Sequence, residues 1–200
     1  YLFINWTYSD GDSDPESGSM YYWYRNGVYM SQYDGLQNIS ASATTKGEEW
    51  HVKVKPRDGK DFGNLVGVPI NVTIGNTVPS ASDLDISPSS PINGSDLSTS
   101  YIFSDIDLDT ESGSEIIWYL NGVLQGSLNG SSIVQAGNTS KNEVWHFKVR
   151  PYDGTDFGSW ASCPTNVTIG NTAPSASNLA VTPSNAKTVN DLTASYDFAD

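Results

Sequence analysis

Apolar and polar side chains alternate along several short stretches of this chain. From Leu97 to Phe103, the odd-numbered positions carry leucine, threonine and two aromatic residues, with serine at 98 and 100. The equivalent stretch from Leu2 to Tyr8 also alternates, with leucine, isoleucine, tryptophan and tyrosine at the even-numbered positions. From Trp50 to Lys55, a tryptophan and two valines alternate with a histidine and two lysines. Successive side chains of a β-strand point to opposite faces, so this period of two predicts strands with one face in a core.

Turn signals separate these stretches. The apolar run Ile116–Leu120 is followed directly by Asn121-Gly122 and then by another apolar pair. Asn-Gly between apolar runs is typical of a type I′ hairpin, because both turn residues need a positive φ. No stretch has a convincing helical period. We therefore predict an all-β chain.

The same pattern occurs twice at a fixed offset. Aligning residues 1–95 with 96–190 needs no gap and gives about 44 identities, and a third copy begins near Leu192. A period of about 95 residues has the length of a small domain, so it indicates a string of domains and not a solenoid. We predict a first repeat at 1–75 that lacks its opening strand, a complete repeat at 76–170, and the first strands of a third at 171–200.

Each repeat has room for about seven short strands. This number predicts tandem Ig-like Greek-key β-sandwiches, with Trp23 and Trp118 as the inward tryptophans of the third strand. Phe62 and Phe157 are expected to close one end of each core. The joints, Gly-Asn-Thr-Val-Pro-Ser at 75–80 and its copy at 170–175, contain a proline that fixes φ, so we expect short and stiff connections.

Composition narrows the possible partners. The formal net charge is −13, which argues against nucleic acid, because nucleic-acid binding needs clustered Lys and Arg. No apolar run approaches the ~20 residues of a membrane span. The single cysteine, Cys163, stands where the first repeat has Val68, so a buried free thiol is expected. The alternative is an intermolecular disulfide.

Several strings in the chain resemble a known class of repeats: Gly-Asn-Thr-Ala-Pro-Ser, Trp-Tyr-x-Asn-Gly-Val and Pro-x-Asp-Gly-x-Asp-Phe-Gly. They are similar to the tandem Ig-like repeats of archaeal and bacterial surface proteins, which are related loosely to PKD, fibronectin III and cadherin-like modules. The resemblance implies an extracellular, cell-surface array with a structural or adhesive role. The acidic residues of cadherin joints are missing from these joints.

The strongest candidate for chemistry is an acidic loop that occurs once in each repeat. Its acids are kept while the residues between them change, as expected if the acids bind one Ca²⁺ through several carboxylate oxygens. The alternative is a solvated acidic turn. The eight predicted metal ligands are Asp10, Asp12, Asp14, Glu16, Asp105, Asp107, Asp109 and Glu111.

Other repeated motifs have simpler explanations. The cluster from Asp58 to Gly63, repeated from Asp153, is explained by turn chemistry, although a supporting role near the metal or near the next repeat stays open. His51 and His146 are expected on an outer strand face, without a metal or catalytic role. No catalytic motif is present, so we do not expect an enzyme.

Asn-x-Ser/Thr sequons exceed the number expected by chance about twofold. Those in the last strand of each repeat are expected to face outward. We predict N-linked glycans on some of the seven sites. The alternative is that a chain rich in Ser, Thr and Asn generates sequons by accident. The seven sites are Asn5, Asn38, Asn71, Asn93, Asn129, Asn138 and Asn166.

The function predicted from these features is a structural repeat of an extracellular filament, stalk or surface layer. The alternative is a glycan-binding or adhesive module, indicated by the tyrosines around Tyr22 and Tyr24. At the position of Tyr22 the second repeat has Ile117, which favours packing over sugar stacking, whereas Tyr119 is kept. We expect Tyr22, Tyr24, Ile117 and Tyr119 to form an interface with a neighbouring copy.

Two modes of assembly remain open. In a long array, sequence ahead of Tyr1 supplies the opening strand of the first repeat. In a 200-residue subunit, the segment around Leu179–Val181 supplies it to a neighbour by donor-strand assembly. We favour the array, because Thr193–Asp200 duplicates Phe3–Asp10. In both modes copies run head to tail.

Overall fold

The computed structural model describes residues 1–200, which form two compact units. The first unit is Tyr1–Val78 together with Asp105–Thr110, and the second is Pro79–Ser104 together with Glu111–Asp200. Both consist of short antiparallel strands and contain no α-helix. The helical segments are four three-residue 3-10 turns: Ser31–Tyr33, Ala41–Ala43, Gly126–Leu128 and Ala136–Asn138.

The first unit contains two sheets. A two-stranded sheet pairs β1 with β4, and a five-stranded sheet has the order β3-β2-β5-β6, with β7 also paired to β5. The strands are β1 (Leu2–Phe3), β2 (Met20–Arg25), β3 (Val28–Tyr29), β4 (Asn38–Ile39), β5 (Glu49–Lys55), β6 (Val66–Gly67) and β7 (Val72–Thr73).

Aromatic and β-branched residues fill the core of the first unit. Trp23 and Trp50 meet edge to face with ring centroids 6.3 Å apart, and Val52, Val54 and Ile39 pack with them. The Trp23 indole donates a hydrogen bond to the carbonyl of Leu36 at 2.8 Å, so its one polar atom is satisfied inside the core.

The second unit repeats this plan with an additional long strand. One sheet has the order β12-β9-β8, and the other has the order β11-β10-β13-β14, with β15 also paired to β13. The strands are β8 (Ser80–Ser87), β9 (Leu97–Ser104), β10 (Glu115–Leu120), β11 (Val123–Leu124), β12 (Ile133–Val134), β13 (Val144–Arg150), β14 (Ala161–Ser162) and β15 (Val167–Thr168).

Strand β8 closes the core of the second unit. Leu84 and Ile86 of this strand are 7% and 1% exposed and pack in one cluster with Trp118 and Phe147. Cys163 is buried and free, as expected, and its thiol lies 3.6 Å from the Leu84 carbonyl. The predicted inward position of Trp23 and Trp118 is confirmed, since they are 3% and 0% exposed.

A two-stranded sheet at the end of the chain belongs to the second unit. Strands β16 (Ser175–Thr182) and β17 (Thr193–Ala199) pair antiparallel. Their pairing has the same irregularity as β8 with β9, falling after Ser177 here and after Ser82 there. Every residue of β16 and β17 is exposed.

The predicted all-β, Ig-like sandwich is confirmed, and so are the Asn-Gly turns. In both turns asparagine and glycine have positive φ, with values of 48° and 76° at Asn26 and Gly27 and of 50° and 81° at Asn121 and Gly122. No helix in the structure is long and apolar enough to cross a membrane.

Two local expectations are wrong. The alternation from Leu2 to Tyr8 predicts a strand, but only Leu2–Phe3 is paired, because no β8-like strand lies beside the residues that follow. Phe62 does not close the core: it is 46% exposed and lies under Lys55 and Arg57. Phe157 is likewise outside the core cluster and packs between Arg150 and Tyr152.

Candidate functional site: the acidic loops and the outer sheet face

The two acidic loops share one backbone design. In the first, Asp10 Oδ1 accepts the N–H groups of Asp12 and Asp14 at 2.8 and 3.1 Å. In the second, Asp105 Oδ1 accepts those of Asp107 and Asp109 at 2.7 and 3.3 Å. The leading aspartate therefore holds each turn through its side chain, which is a known preference of aspartate in turns.

The second loop brings three carboxylates together. One oxygen from each of Asp105, Asp107 and Asp109 lies within 4.8 Å of the others. Asp107 also accepts the N–H of Thr77 at 2.6 Å, and Asp109 forms an ion pair with Lys46 at 2.6 Å. Three carboxylates against one lysine leave a local excess of negative charge, which favours a bound cation.

The donor set fits calcium. Carboxylate oxygens are the ligands that Ca²⁺ prefers, and the loop offers three of them. Asp105 Oδ2 is buried and accepts no hydrogen bond, although its partner Oδ1 holds the turn. A buried acceptor of this kind is costly unless a donor or a cation satisfies it.

The first loop does not gather its aspartates into such a group. Asp14 forms an ion pair with Lys60 at 2.7 Å, and Asp12 is exposed. The two glutamates bond elsewhere. A hydrogen bond from the Ser19 side chain lowers the pKa of Glu16, and the bond from the Ser19 N–H, at 3.1 Å, lowers it further. Glu111 accepts the hydroxyl of Tyr101 at 2.6 Å.

A second pair of acids lies beside the first loop. Asp10, Asp58 and Asp61 line one cavity of about 210 Å³ with Tyr8. Burial raises the pKa of Tyr8, and the charges of Asp10 and Asp58 raise it further. The sequence left open a supporting role for the Asp58 cluster. It could not predict that Asp61 lies near Asp10, because that proximity depends on the tertiary fold.

Asp58 is a turn residue. Its Oδ1 accepts the N–H groups of Lys60 and Asp61 at 2.7 and 2.6 Å, and these bonds lower its pKa. Gly59 follows with φ +91°, and a Cβ there would lie 3.4 Å from Ser17 of the acidic loop. The turn and the first acidic loop are therefore in contact, and only glycine combines this φ with this approach.

The outer face of β2 and β5 carries a stack of rings and cations. Tyr24 lies opposite His51 in the strand register, and their rings are parallel with centroids 4.5 Å apart. Lys53 lies 4.8 Å above the Tyr24 ring. Tyr29 meets Tyr24 at 5.5 Å and Tyr22 at 6.2 Å, so four rings form one patch.

The second unit keeps the centre of this patch. Tyr119 lies opposite His146 with centroids 4.7 Å apart, and Lys148 lies 5.5 Å from the Tyr119 ring. Ile117 is half-buried beside them. The predicted interface residues thus lie on the outer face of the sheet that contains β10 and β13. The residues of this stack occupy alternate positions in the sequence of their strands, but the strand register determines which rings meet.

Both histidines have a lowered pKa. Burial lowers the pKa of His51 and His146 below the ordinary 6.5, and the neighbouring Lys53 and Lys148 lower it further. The two imidazoles are therefore neutral at pH 7 and leave the lysines as the charged members of the patch.

The asparagine of every sequon is exposed, as glycosylation requires. This holds for Asn71 and Asn166, which flank the last strand of each repeat, and for the other five: Asn5, Asn38, Asn93, Asn129 and Asn138.

Comparisons with known proteins concern the fold. No protein-family model matches the chain, and a search of curated proteins finds no match. Among solved structures, the chain is similar to the crystal structure of the FN1–FN3 domains of chicken CNTN1, with 13% identity over 76% of this chain and a TM-score of 0.32. The chain spans 55% of the length of that structure. The strand order and the buried tryptophans, by themselves, define an Ig-like β-sandwich protein.

Proposed function

We propose that this chain is a structural repeat segment of an extracellular filament, stalk or surface layer. The observation that carries the proposal is the duplication of one sandwich with one acidic loop and one tyrosine–histidine–lysine stack in each copy. Each added copy lengthens an extended protein and repeats its contacts at a fixed interval. A catalytic site gains nothing comparable from duplication in adjacent domains.

Calcium is the proposed stiffening element. Asp105, Asp107 and Asp109 would hold the ion in the second loop, and Asp10 with its neighbouring acids would hold one in the first. A bound Ca²⁺ supplies positive charge that offsets the repulsion among these carboxylates and fixes the loop. Glu16 and Glu111 support their loops through the hydrogen bonds described above.

The outer sheet face is the proposed lateral contact between copies. Tyr22 and Tyr24 of the first unit and Ile117 and Tyr119 of the second are half-buried there. Tyr29 and Leu124, which the register places opposite Tyr24 and Tyr119, are 44% and 49% exposed. Exposed apolar area next to fixed aromatic rings is a common composition of protein interfaces.

N-linked glycans complete the proposal. The seven sequon asparagines are exposed, and glycans on them would cover the polar edges of the sandwiches. Such a coat is consistent with an extracellular, cell-surface location.

Electron microscopy of the assembled native protein tests this function. We expect extended strings that align side by side, and we expect Ile117→Glu with Tyr119→Glu to separate them, because two buried carboxylates oppose a lateral contact. Ser100→Glu with Ile102→Glu is the matched control, since it places the same two charges on the exposed side of β9. Strings that stay aligned in the first variant, or dispersed single particles in the wild type, would contradict the proposal.

A second candidate function is glycan binding. The contiguous rings of Tyr22, Tyr24 and Tyr29 in the first unit favour it, because aromatic faces stack on sugars. The second unit keeps only one tyrosine at these three positions. Calorimetry with oligosaccharides separates the two functions: saturable binding that Tyr22→Leu and Tyr29→Leu abolish would support the adhesive module.

A further inference from the structure

Asparagine followed directly by glycine can react with its own backbone. The glycine nitrogen loses its proton and attacks Cγ of the asparagine, ammonia leaves, and a cyclic succinimide forms. Glycine favours the attack because it has no side chain to obstruct the ring. The reaction needs an asparagine side chain that is free to turn and a glycine N–H that is not held by an acceptor. The chain contains four such pairs: Asn26-Gly27, Asn93-Gly94, Asn121-Gly122 and Asn129-Gly130.

The two hairpin pairs are held through the asparagine side chain. Asn26 Oδ1 accepts the N–H of Glu49 at 2.8 Å, and Asn121 Oδ1 accepts the N–H of Val144 at 3.0 Å. Turning Cγ toward the following glycine nitrogen would break this bond and leave the strand N–H without its acceptor, which costs free energy. The contact that fixes each hairpin therefore also opposes the reaction.

The pair Asn129-Gly130 is held through the N–H of its glycine. Gly130 donates this N–H to the Ile116 carbonyl at 2.8 Å, and Gly35, at the same repeat position, makes the equivalent bond at 3.0 Å. A glycine nitrogen without its proton would lose the bond and face a carbonyl oxygen, so the reactive form is disfavoured. The first repeat keeps the bond although it has Asp34 in place of the asparagine, so the bond belongs to the fold of both units.

Neither restraint acts on Asn93-Gly94. Both residues are exposed. The hydrogen bonds of Asn93 involve its backbone, which leaves the side-chain amide free to turn, and the N–H of Gly94 donates to no protein group. A Cβ on Gly94 would meet nothing within 4 Å, so there is open space where the ring would close. This pair alone of the four combines a free amide with a free attacking nitrogen.

We propose that Asn93 is a site of spontaneous covalent modification, at which a succinimide forms and water then opens the ring. Hydrolysis of the bond between Cγ and the Gly94 nitrogen gives aspartate. Hydrolysis of the bond between the Asn93 carbonyl carbon and the same nitrogen gives isoaspartate, in which the main chain runs through Cγ. Water is consumed and ammonia is released, so the reaction requires neither an oxidant nor a cofactor.

The modification would act on a contact with the joint that follows β15. Asn93 donates its N–H to the Gly170 carbonyl at 3.1 Å, and its own carbonyl accepts the Thr172 hydroxyl at 3.0 Å. Isoaspartate adds one methylene group to the backbone ahead of Gly94, so the chain that follows must shift relative to this contact. Close-packed surroundings transmit such a shift, and we expect the joint to loosen as the chain ages.

A glycan on Asn93 would protect the site. Residues 93–95 form a sequon, and an N-linked glycan occupies the same amide nitrogen that leaves in the reaction. The glycan therefore blocks the loss of ammonia. This protection rests on the glycosylation proposed above, whereas the reactivity of the bare asparagine does not.

Peptide mapping of the unglycosylated 200-residue chain after incubation at mildly alkaline pH tests the proposal. Mass spectrometry measures conversion at each pair, and enzymatic methylation of isoaspartate identifies that product. Asn93 should convert at least about fivefold faster than the asparagines of the other three pairs, the factor that one hydrogen bond of about 1 kcal/mol is worth. The control is the same chain unfolded in guanidinium chloride, in which all four pairs should convert at similar rates.

The outcomes separate this proposal from the glycan proposal. Equal conversion of Asn93 and Asn129 in the folded chain, or an unreacted Asn93 under conditions in which the unfolded chain reacts, would overturn the modification site. Asn93→Gln should abolish conversion at this position and leave the melting temperature of the fresh chain unchanged. Conversion of glycosylated Asn93 would overturn the protective role alone. A native chain without glycans would end the glycan proposal and leave the reactivity of the bare asparagine as measured.

Discussion

At the scale of single residues, the two carboxylate oxygens of Asp105 have different roles in the acidic loop. Asp105 uses Oδ1 to hold the turn, while its Oδ2 is buried without a donor. Substitution by asparagine keeps a carbonyl oxygen for the turn but removes the charge. The role of the charge can therefore be separated from the role of the turn.

Calcium should stabilise the wild-type chain, and Asp105→Asn or Asp107→Asn should remove that effect. A ligand that binds only the folded chain stabilises it by about 2.7 kcal/mol at 100 times its Kd. The measurement is the melting temperature in Ca²⁺ and in EGTA. The control is Asp83→Asn, because Asn178 holds the corresponding position with a similar positive φ, 53° against 52°. Equal melting temperatures of the wild type with and without Ca²⁺ would contradict the metal site.

The two stacked histidines should make stability depend on pH. Their pKa values in the folded chain lie below the ordinary 6.5, so the unfolded chain takes up protons first. Stability should therefore decrease as pH falls from about 6.5 through the folded pKa values and level off below them. NMR titration of the imidazoles gives both values, and Lys53→Met should raise that of His51 while leaving that of His146 unchanged. A measured pKa at or above 6.5 for both histidines would show that burial does not lower their pKa.

At the scale of secondary-structure elements, strands and turns follow from local pattern. The alternation along Glu49–Lys55 and Val144–Arg150 matches the observed burial residue by residue. The Asn-Gly pairs form turns with positive φ at both positions, as the two-residue connection requires. The strand expected from Leu2 to Tyr8 failed, because a strand also needs a partner edge and local pattern does not supply one.

Gly122→Ala should destabilise the chain by about 1 kcal/mol. A Cβ at Gly122 would touch nothing within 4 Å, so the cost comes only from its φ of +81°. Gly137→Ala is the control: it also has open space around it but no positive φ, so it should be neutral or slightly stabilising. Urea denaturation measures both, and equal stability of the two variants would show that the turn tolerates alanine.

At the scale of the whole molecule, one sequence plan occurs twice at an offset of 95 residues. Both units contain a five-stranded sheet and a core with two buried tryptophans. The sequence repeats an acidic loop, sequons and a tyrosine–histidine–lysine stack. These features recur at a fixed interval along the chain, which is the basis of the proposed array.

Glycosylation should add mass to the native protein. The intact mass should exceed the 21.6 kDa of this polypeptide segment, and enzymatic removal of N-glycans should reverse the increase. Asn71→Gln and Asn166→Gln should each remove one glycan, since both side chains are exposed beside the last strand. Asn190→Gln, outside any sequon, should change nothing. A native mass equal to that of the bare chain would end the glycan proposal.

The sequence by itself determined the fold class, the inward tryptophans, the hairpin turns and the outward histidines. These depend on period-two burial and on the φ preference of Asn-Gly, which act between neighbouring residues. The division into repeats at 1–75, 76–170 and 171–200, the metal ligands and the glycan sites stay predictions.

Only the tertiary structure decided which side chains meet. The pairing of Tyr24 with His51 depends on strand register, and the gathering of Asp105, Asp107 and Asp109 depends on how the loop closes. The outward position of Phe62 depends on its packing against Lys55 and Arg57. All of these involve contacts between segments distant in sequence, and no local pattern fixes such distances.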